Sequence, residues 1–581
     1  MSESIAEQIR AAADARHLTA LVEEIRKAAG ELTVTALPVH PTWSQYRLFA
    51  DIGERMTYEP VFFMRRRALN ALAAAAMMDR EPAVLKALAD MLWSVCDEYT
   101  WAVPAHSYLI DTPDRDMTRC VDLFASETAH TLAEIVTGLA DLLPQPVTDR
   151  VRQEVERRVL EPYFDDPHPW IWESARNNWV AVCAGAAGMA ALALRQGLKL
   201  DRALERCRAA MDEYLSAVDE DGGCVEGVNY WIYGYGYFTY FAEALRDRTG
   251  EDLLDQPLAR DAAAFPAAVQ LGPERFPAFA DGAAHQLIPA GVLCRLEARL
   301  GVAVPNGSRI QNLDFDHCYR WGHLSRTLAW TRPEILRRPA KRIGGAWLER
   351  AQWMIDRRDV DGLAVAFAAK GGHNDESHNH NDLGTFVLEA EGEELLADLG
   401  AGEYTAEYFG PRRYELLHPS SEGHSVPVID GHGQRAGRGA AARVLRAERH
   451  LYGADLELDL SAAYDGETGL TRTFTWQAHG TLQLTDQFFG TRSVQEIFVS
   501  RLRPNIGDGT VAWHGSHAAA LLTFDQAMWH PEHEQLVVPR HLGEPEVVHR
   551  LRLTARSELD AATFEFTIHP ALAQARSGAP G

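Results

Sequence analysis

The spacing of apolar residues changes once along this chain, between Arg337 and Gly345, and that change restricts the folds open to it. Up to about residue 335 apolar residues recur every three or four positions in sequence rich in Ala, Leu, Glu and Arg, the pattern of helices with one buried face. Segments 68–78, 84–98, 121–143, 147–163, 179–196, 202–218 and 231–248 read as helices, separated by breakers such as Asp165-Asp166-Pro167 and Asp219-Glu220-Asp221-Gly222-Gly223. Helices of similar length in series predict stacked hairpins, as an open solenoid or a closed toroid, and the lack of a fixed sequence repeat disfavours a consensus solenoid. After about residue 345 the period becomes two, in 363–367, 385–388, 456–460, 470–476, 482–485 and 563–567, which predicts short antiparallel strands packed face to face. The chain is therefore read as multidomain α+β: a helical domain over 1–340, an antiparallel β-sandwich over 341–573, and a small polar tail over 574–581.

Its 581 residues exceed what one hydrophobic core supports, so two domains agree with length as well as with pattern. A formal charge of -25, without a Lys/Arg-dominated segment, argues against nucleic acid as a partner but leaves an anionic small substrate open. Seven Cys, all before residue 319 and without a CxxC pair, favour reduced thiols. The N-terminal residues lack the basic and apolar regions of a secretory signal, and no run of about 18 apolar residues is present, so the expectation is a cytoplasmic protein without a membrane partner. A removed leader would make it periplasmic or secreted.

Chemistry concentrates in His373-Asn374-Asp375-Glu376-Ser377-His378-Asn379-His380-Asn381-Asp382, which brings three imidazoles and three acids to the mouth of a strand beginning near Leu383. The alternative is a polar turn whose Asn and Asp side chains cap their own backbone. His380, Asp398 and His424 supply two imidazoles and a carboxylate, a set suited to Zn(II) or a similar ion, although spacing alone equally allows a turn-capping aspartate and an ordinary loop histidine. If Gly392 turns a hairpin, register counting sets Asp398 opposite Phe386. The chain between His380 and Gly384 must then curl back for the two ligands to meet. In the helical half, Asn177-Asn178-Trp179 precedes an apolar helix, where one Asn can cap the helix and the other offer its amide to a carboxylate. Tyr230, Tyr233 and Tyr237 share one helical face, a pattern that fits core packing as well as a groove lined by phenols.

Together these residues resemble the heparinase II/III superfamily of polysaccharide lyases. The resemblance rests on Asn177-Asn178-Trp179, on Glu226-Gly227-Val228-Asn229-Tyr230-Trp231-Ile232-Tyr233-Gly234 and above all on His378-Asn379-His380-Asn381-Asp382-Leu383-Gly384, with Gly392-Glu393 and Asp398-Leu399-Gly400 behind it. It spans roughly residues 90 to 435, and Trp101 to His106 and Asp122 to Ala129 also look like this family's toroid segments. It implies an N-terminal α/α toroid followed by antiparallel β-sheets, and cleavage of a uronic-acid-containing acidic glycan by β-elimination. Carried over by motif, Asn178 with Asn177 would bind the uronate carboxylate, Tyr230 or Tyr233 would act as general base, general acid or both, and His378 would assist or take the base role for the opposite C5 epimer. His380, Asp398 and His424 would hold a divalent metal, Zn with Mn or Ca as alternatives, in a mainly structural role. Glu226, His106, Arg412, Arg413 and Tyr414 are further candidates for substrate contact, Arg because it can pair bidentately with carboxylate or sulfate.

The expected function is thus a lyase on a glycosaminoglycan-like polysaccharide or its oligosaccharides, with an alginate-like polyuronate as the nearest alternative substrate. A glycoside hydrolase on a similar toroid, using Glu173, Glu226 or Asp221 as acid and base, and a non-catalytic carbohydrate-binding protein are the readings from other classes.

Overall fold

The structure is a computed structural model that describes residues 3–571 except Asp114, Glu467 and Leu542. Residues 574–581, read from the sequence as a frayed tail, lie outside the described residues. Two compact units are present: one comprises residues 1–222, 230–264 and 287–338, the other 223–229, 265–286 and 339–581. Two stretches numbered within the helical half thus belong to the sheet unit.

The first unit is a set of packed helices. Glu59–Asp79, Pro82–Cys96, Leu123–Gly138, Asn178–Leu194, Gly197–Ala217 and Val228–Thr249 are its long members. The N-terminal helix Ile5–Ala12 packs against the late helix Trp321–Trp330, so first and last elements meet as a toroid requires. Close packing follows from small residues: Asn178–Leu194 reads NWVAVCAGAAGMAALAL and is buried along most of its length. A Cβ at Gly188 would lie 2.6 Å from the Phe241 ring and 2.8 Å from Cys207 Sγ, so only glycine lets these helices approach so closely. The helix expected over 147–163 is α-helical only from Gln145 to Val155 and continues as a π-helix over Glu156–Asp165. Pro162 explains the change, since it has no N–H for the i−4 carbonyl and its ring crowds the preceding turn.

The second unit is a β-sandwich. One sheet has five antiparallel strands in the order Gly344–Leu348, Trp353–Val360, Leu363–Lys370, Phe386–Ala390 and Glu393–Leu396. An eight-stranded sheet runs Pro504–Gly507, Thr510–His514, Ala518–Thr523, Ala561–Pro570, Thr481–Phe489, Gly469–Gln477, Gly453–Asp459 and Arg443–His450. Their inner faces share one core, in which Phe386 lies 5.6 Å by ring centroid from Phe474 and from Phe566. A four-stranded sheet, Trp529–Val538, Glu546–Ala555, Val494–Ser500 and Val428–Ile429, completes the unit with a two-stranded pair, His373–Asn374 and Gly437–Ala441. Glu391 and Gly392, both at positive φ, form the two-residue loop that pairs Ala390 with Glu393, the geometry that suits hairpin twist. The segment 265–286 is fastened to the first sheet by Arg275 Nε to Glu389 Oε2 at 2.8 Å and by the Arg357 guanidinium on the Gln270 carbonyl.

Inside the sandwich sits one fully buried cation. Arg472 donates to Asp486 Oδ2 at 2.6 Å, to Glu496 Oε2 at 3.0 Å, and to the carbonyls of Gly384 at 3.0 Å and Ser425 at 2.8 Å. Burial opposes its charge, but Asp486 and Glu496 override burial and raise its pKa. Replacing it with Met should strand two buried acids and lower unfolding free energy by about 3–5 kcal/mol. A urea midpoint unchanged from the parent protein would refute that reading.

Candidate active site

In the helical unit the tandem asparagines divide their work. Asn177 is the N-cap of Asn178–Leu194, its Oδ1 accepting the Trp179 N–H at 3.0 Å. Asn178, one residue on, is buried, and its Oδ1 has no hydrogen-bond partner among the described residues. The neighbouring helix Val228–Thr249 comes against it at Gly234, where an added Cβ would lie 3.1 Å from Asn178 Cα. Glycine at 234 therefore lets this helix pack directly on the first turn of Asn178–Leu194.

Tyr233 is buried, with Arg320 Cζ 3.9 Å from its ring centroid. Arg320 Nε is 3.2 Å from Glu127 Oε1, and Tyr237 stands edge-on to Tyr233 at 5.9 Å. Burial pushes the Tyr233 phenol well above its ordinary range, Glu127 adds to the shift, and Arg320 opposes it. The phenol is thus neutral before substrate binds. Burial also pushes the Glu127 carboxyl up to about 7, against the attraction of Arg320. Tyr230, the other tyrosine candidate, is half-buried. His106 is tied down: Nδ1 lies 2.7 Å from Asp122 Oδ2, and the ring is parallel to Phe124 and 4.7 Å from Trp179. Both oxygens of Glu173, an acid-base candidate of the hydrolase reading, are held by Arg206 at 2.7 and 2.9 Å.

In the sheet unit the histidine-rich run curls as the metal reading requires. Asn381 N donates to the Pro419 carbonyl at 2.8 Å, Thr385 N to the Asp382 carbonyl at 2.9 Å, and Gly384 is left-handed. This turn brings His380, Asp398 and His424, all fully buried, close enough that one ligand atom from each lies within 4.8 Å of the others. His424 Nδ1 is 3.2 Å from Asp398 Oδ2, and its Nε2 is 3.1 Å from His380 Nδ1. Asp382 Oδ2, 3.6 Å from His424 Nδ1, is buried without a hydrogen-bond partner among the described residues. Buried donors of this kind, with an unpartnered carboxylate oxygen at their edge, fit a divalent ion. A second group, Asp316, His317 and Cys318, also has ligand atoms that close together. Its aspartate, however, already accepts from Arg320 Nη1 at 2.6 Å and the Cys318 N–H at 3.1 Å.

His378 lies in the left-handed region at φ 58°, so it and His380 do not alternate along an extended chain. Both rings instead meet Asp281, a fully buried residue from the 265–286 segment. His378 Nδ1 is 2.7 Å from Oδ2, and His380 Nε2 is 3.0 Å from Oδ1. Tyr404 at 3.1 Å, Tyr408 at 2.5 Å and Arg413 at 3.4 Å complete the set around that carboxylate. Burial opposes the carboxylate's charge, yet hydrogen bonds from His378 and His380 hold it well below the usual range. The same partner raises the His378 imidazole against burial, with Glu226 assisting; Glu226 is itself buried and pushed up by burial. Arg413 also donates to the Asn379 carbonyl at 3.1 Å, and Tyr414 Oη to Asn379 Oδ1 at 2.9 Å, so both fasten the histidine loop. Arg412 points elsewhere, exposed and paired with Glu407.

Residues 344–574 match the family model described as heparinase II/III-like, C-terminal. The sheet unit thus carries a heparinase II/III-like C-terminal domain. The whole chain has the fold of solved heparinase structures. It matches a heparinase III with 12% identity and a TM-score of 0.62, covering 98% of this chain and 93% of that one. Heparan sulfate lyase HepC from Pedobacter heparinus is 13% identical with a TM-score of 0.59, over 97% and 93%. A chondroitin AC lyase from Streptomyces coelicolor A3 is 13% identical with a TM-score of 0.52, over 99% and 83%. No curated protein matches by sequence. The residues that motif reading did not single out are Asp281 and Glu127, whereas Tyr404 and Tyr408, read from the sequence within a segment offering saccharide contacts, instead donate to Asp281. Asp281 had only the signal of an Asp-Gly turn, 97 residues before the histidine it binds.

Glu127 makes a pH prediction for the helical unit. Its folded-state carboxyl at about 7 lies above the ordinary 4.5, so the folded state holds its proton more tightly and stability falls as pH rises through that window. Relative to Glu127→Gln, the parent protein should lose up to about 3 kcal/mol between those limits. Urea midpoints of the two proteins across pH decide it; a constant difference would mean that Glu127 is charged throughout.

Proposed function

We propose that this protein is a lyase that cleaves a uronic-acid-containing, glycosaminoglycan-like polysaccharide or oligosaccharide by β-elimination, giving an unsaturated uronate at the new end. The observation that carries this reading is Asn178, buried at the start of its helix with an amide oxygen that has no hydrogen-bond partner among the described residues, on a helix packed against the one that carries the buried Tyr233. The C5 proton of a uronate is too weakly acidic to remove while the neighbouring carboxylate keeps its full charge. The Asn178 N–H groups supply donors to that carboxylate and to the enolate-like oxygen that develops from it. Tyr233, with Arg320 over its ring, delivers a proton to the departing glycosidic oxygen, and Tyr230 is the second tyrosine for acid-base exchange. His378, with Nδ1 on Asp281, has Nε2 as its basic nitrogen and takes the base role for one C5 epimer. Arg413 and Tyr414 serve this reading indirectly, by fastening the histidine loop that carries His378.

His380, Asp398 and His424 would hold the metal, Zn by the donor set, with Asp382 at its edge. When bound, the ion would cross-link the three loops that carry these ligands. The six buried cysteines, Cys96, Cys120, Cys183, Cys207, Cys294 and Cys318, form no disulfide and support a reducing compartment, and we propose cytoplasmic action on short oligosaccharides.

Incubation with a panel of uronate polymers and oligosaccharides, alginate included, should produce ultraviolet absorbance from the conjugated product with at least one substrate. Reducing ends without that absorbance would mean hydrolysis, and no change on any substrate would leave binding alone. Tyr233→Phe should reduce turnover by roughly 100-fold or more while the fold is retained; full activity in both Tyr233→Phe and Tyr230→Phe would exclude the tyrosines. Protein as purified should carry about one equivalent of divalent metal, and chelation should lower the melting temperature. Metal-free protein that melts unchanged after adding Zn or Mn would rule the site out.

A further inference from the structure

Asp281 belongs to no motif, yet five donors from the histidine loop and the 404–413 stretch converge on its carboxylate. Oδ2 takes His378 Nδ1 at 2.7 Å and Tyr404 Oη at 3.1 Å. Oδ1 takes His380 Nε2 at 3.0 Å, Tyr408 Oη at 2.5 Å and Arg413 at 3.4 Å. Full burial removes solvent as a competing acceptor, and the carboxylate can only accept. A neutral ring donating to it from Nδ1 carries its lone pair on Nε2, and one donating from Nε2 carries it on Nδ1. The two histidines use opposite nitrogens, so one side chain sets opposite tautomers in residues two apart. For His380 the basic nitrogen is Nδ1, the atom 3.1 Å from His424 Nε2 within the ligand cluster. For His378 it is Nε2, on the far side of the ring from Asp281.

The left-handed backbone of His378 strengthens the assignment. A non-glycine residue at φ 58° is strained, and such strain persists where surrounding bonds over-determine it. Here Arg413 grips the carbonyls of His378 and Asn379 at 3.3 and 3.1 Å while Asp281 grips the ring. Backbone and imidazole are fixed from two sides, which a surface turn does not require.

We infer that Asp281 is the positioning residue of the site: it selects the Nδ1–H tautomer of His378 for proton transfer and the Nε2–H tautomer of His380 for metal ligation. It acts through the two histidines and does not itself touch substrate. The inference rests on the lyase reading for its catalytic half, whereas the tautomers themselves do not depend on any activity.

Two measurements test it on the full-length, metal-loaded protein. In histidine-labelled protein at alkaline pH, where the rings are neutral, long-range proton-nitrogen spectra assigned with His378→Gln should show the His378 ring proton on Nδ1. A proton on Nε2 would overturn the inference, whether or not any substrate is turned over. On the best substrate of the uronate panel, Asp281→Asn, which keeps shape but presents an N–H as well as an oxygen, should lower kcat roughly 10- to 100-fold with KM little changed. The same substitution in a His378→Ala background should then lower kcat little further, because the proton-transfer part of Asp281's role runs through His378, whereas its bond to His380 serves metal ligation. Undiminished loss in the double variant, or full kcat in Asp281→Asn, would overturn it. Failure of every substrate to give an unsaturated product would instead sink the lyase reading and leave the spectra to decide the tautomers.

Discussion

A charge can sit inside an apolar β-sandwich only if every donor it carries is matched, and the sheet unit is arranged around one such match. Arg472 is fully buried on a central strand of the eight-stranded sheet and is neutralised by Asp486 and Glu496. Its remaining donors go to backbone carbonyls rather than to more side chains. Those carbonyls belong to Gly384, in the turn after the histidine run, and Ser425, next to His424. The cation that the core must satisfy therefore doubles as a clamp on two loops carrying candidate ligands. An apolar residue of the same volume could fill the space and would release both loops.

Outward from that clamp, burial sets different protonation preferences on similar groups. His378 and His380 share a carboxylate, yet His378 is raised because Asp281 and Glu226 outweigh burial, whereas His380 is lowered because burial wins. In the helical unit, burial pushes both Tyr233 and Glu127 toward their neutral forms, and Arg320 works against both shifts.

The fold was legible because its two periods are long and unmixed: strand 469–477 alternates buried and half-buried residues for most of its length, and helix 197–217 buries Leu200, Ala203, Leu204, Cys207, Ala210, Met211, Tyr214 and Leu215 at three- and four-residue spacing. Local exceptions were not. Pro162 widens a helix that periodicity alone would have continued. Within the site, residues that act by type and spacing could be read: one of the tandem asparagines as a cap, though Asn177 was also expected to bind substrate, His380, Asp398 and His424 as a cluster, and the curl after His380 that register counting demanded. Asp281 could not, because its function depends on five partners that lie 97 to 132 positions further on, and its own neighbours, Ala280 and Gly282, announce nothing more than a turn. Arg413 shows the same limit from the other side. Its charge suggested a glycan contact, while its hydrogen bonds go to the carbonyls of the histidine loop.

The membership of the two units bears on how the molecule is made. Segments 223–229 and 265–286 belong to the sheet unit but are translated before nearly all of it. As the nascent chain leaves the ribosome, the helices on either side of these segments can assemble from local contacts, whereas Asp281 waits about 100 residues for its first donor. During that interval the carboxylate is solvated and its segment has no sheet to join. The Asp281 arrangement is thus among the last things the polypeptide acquires.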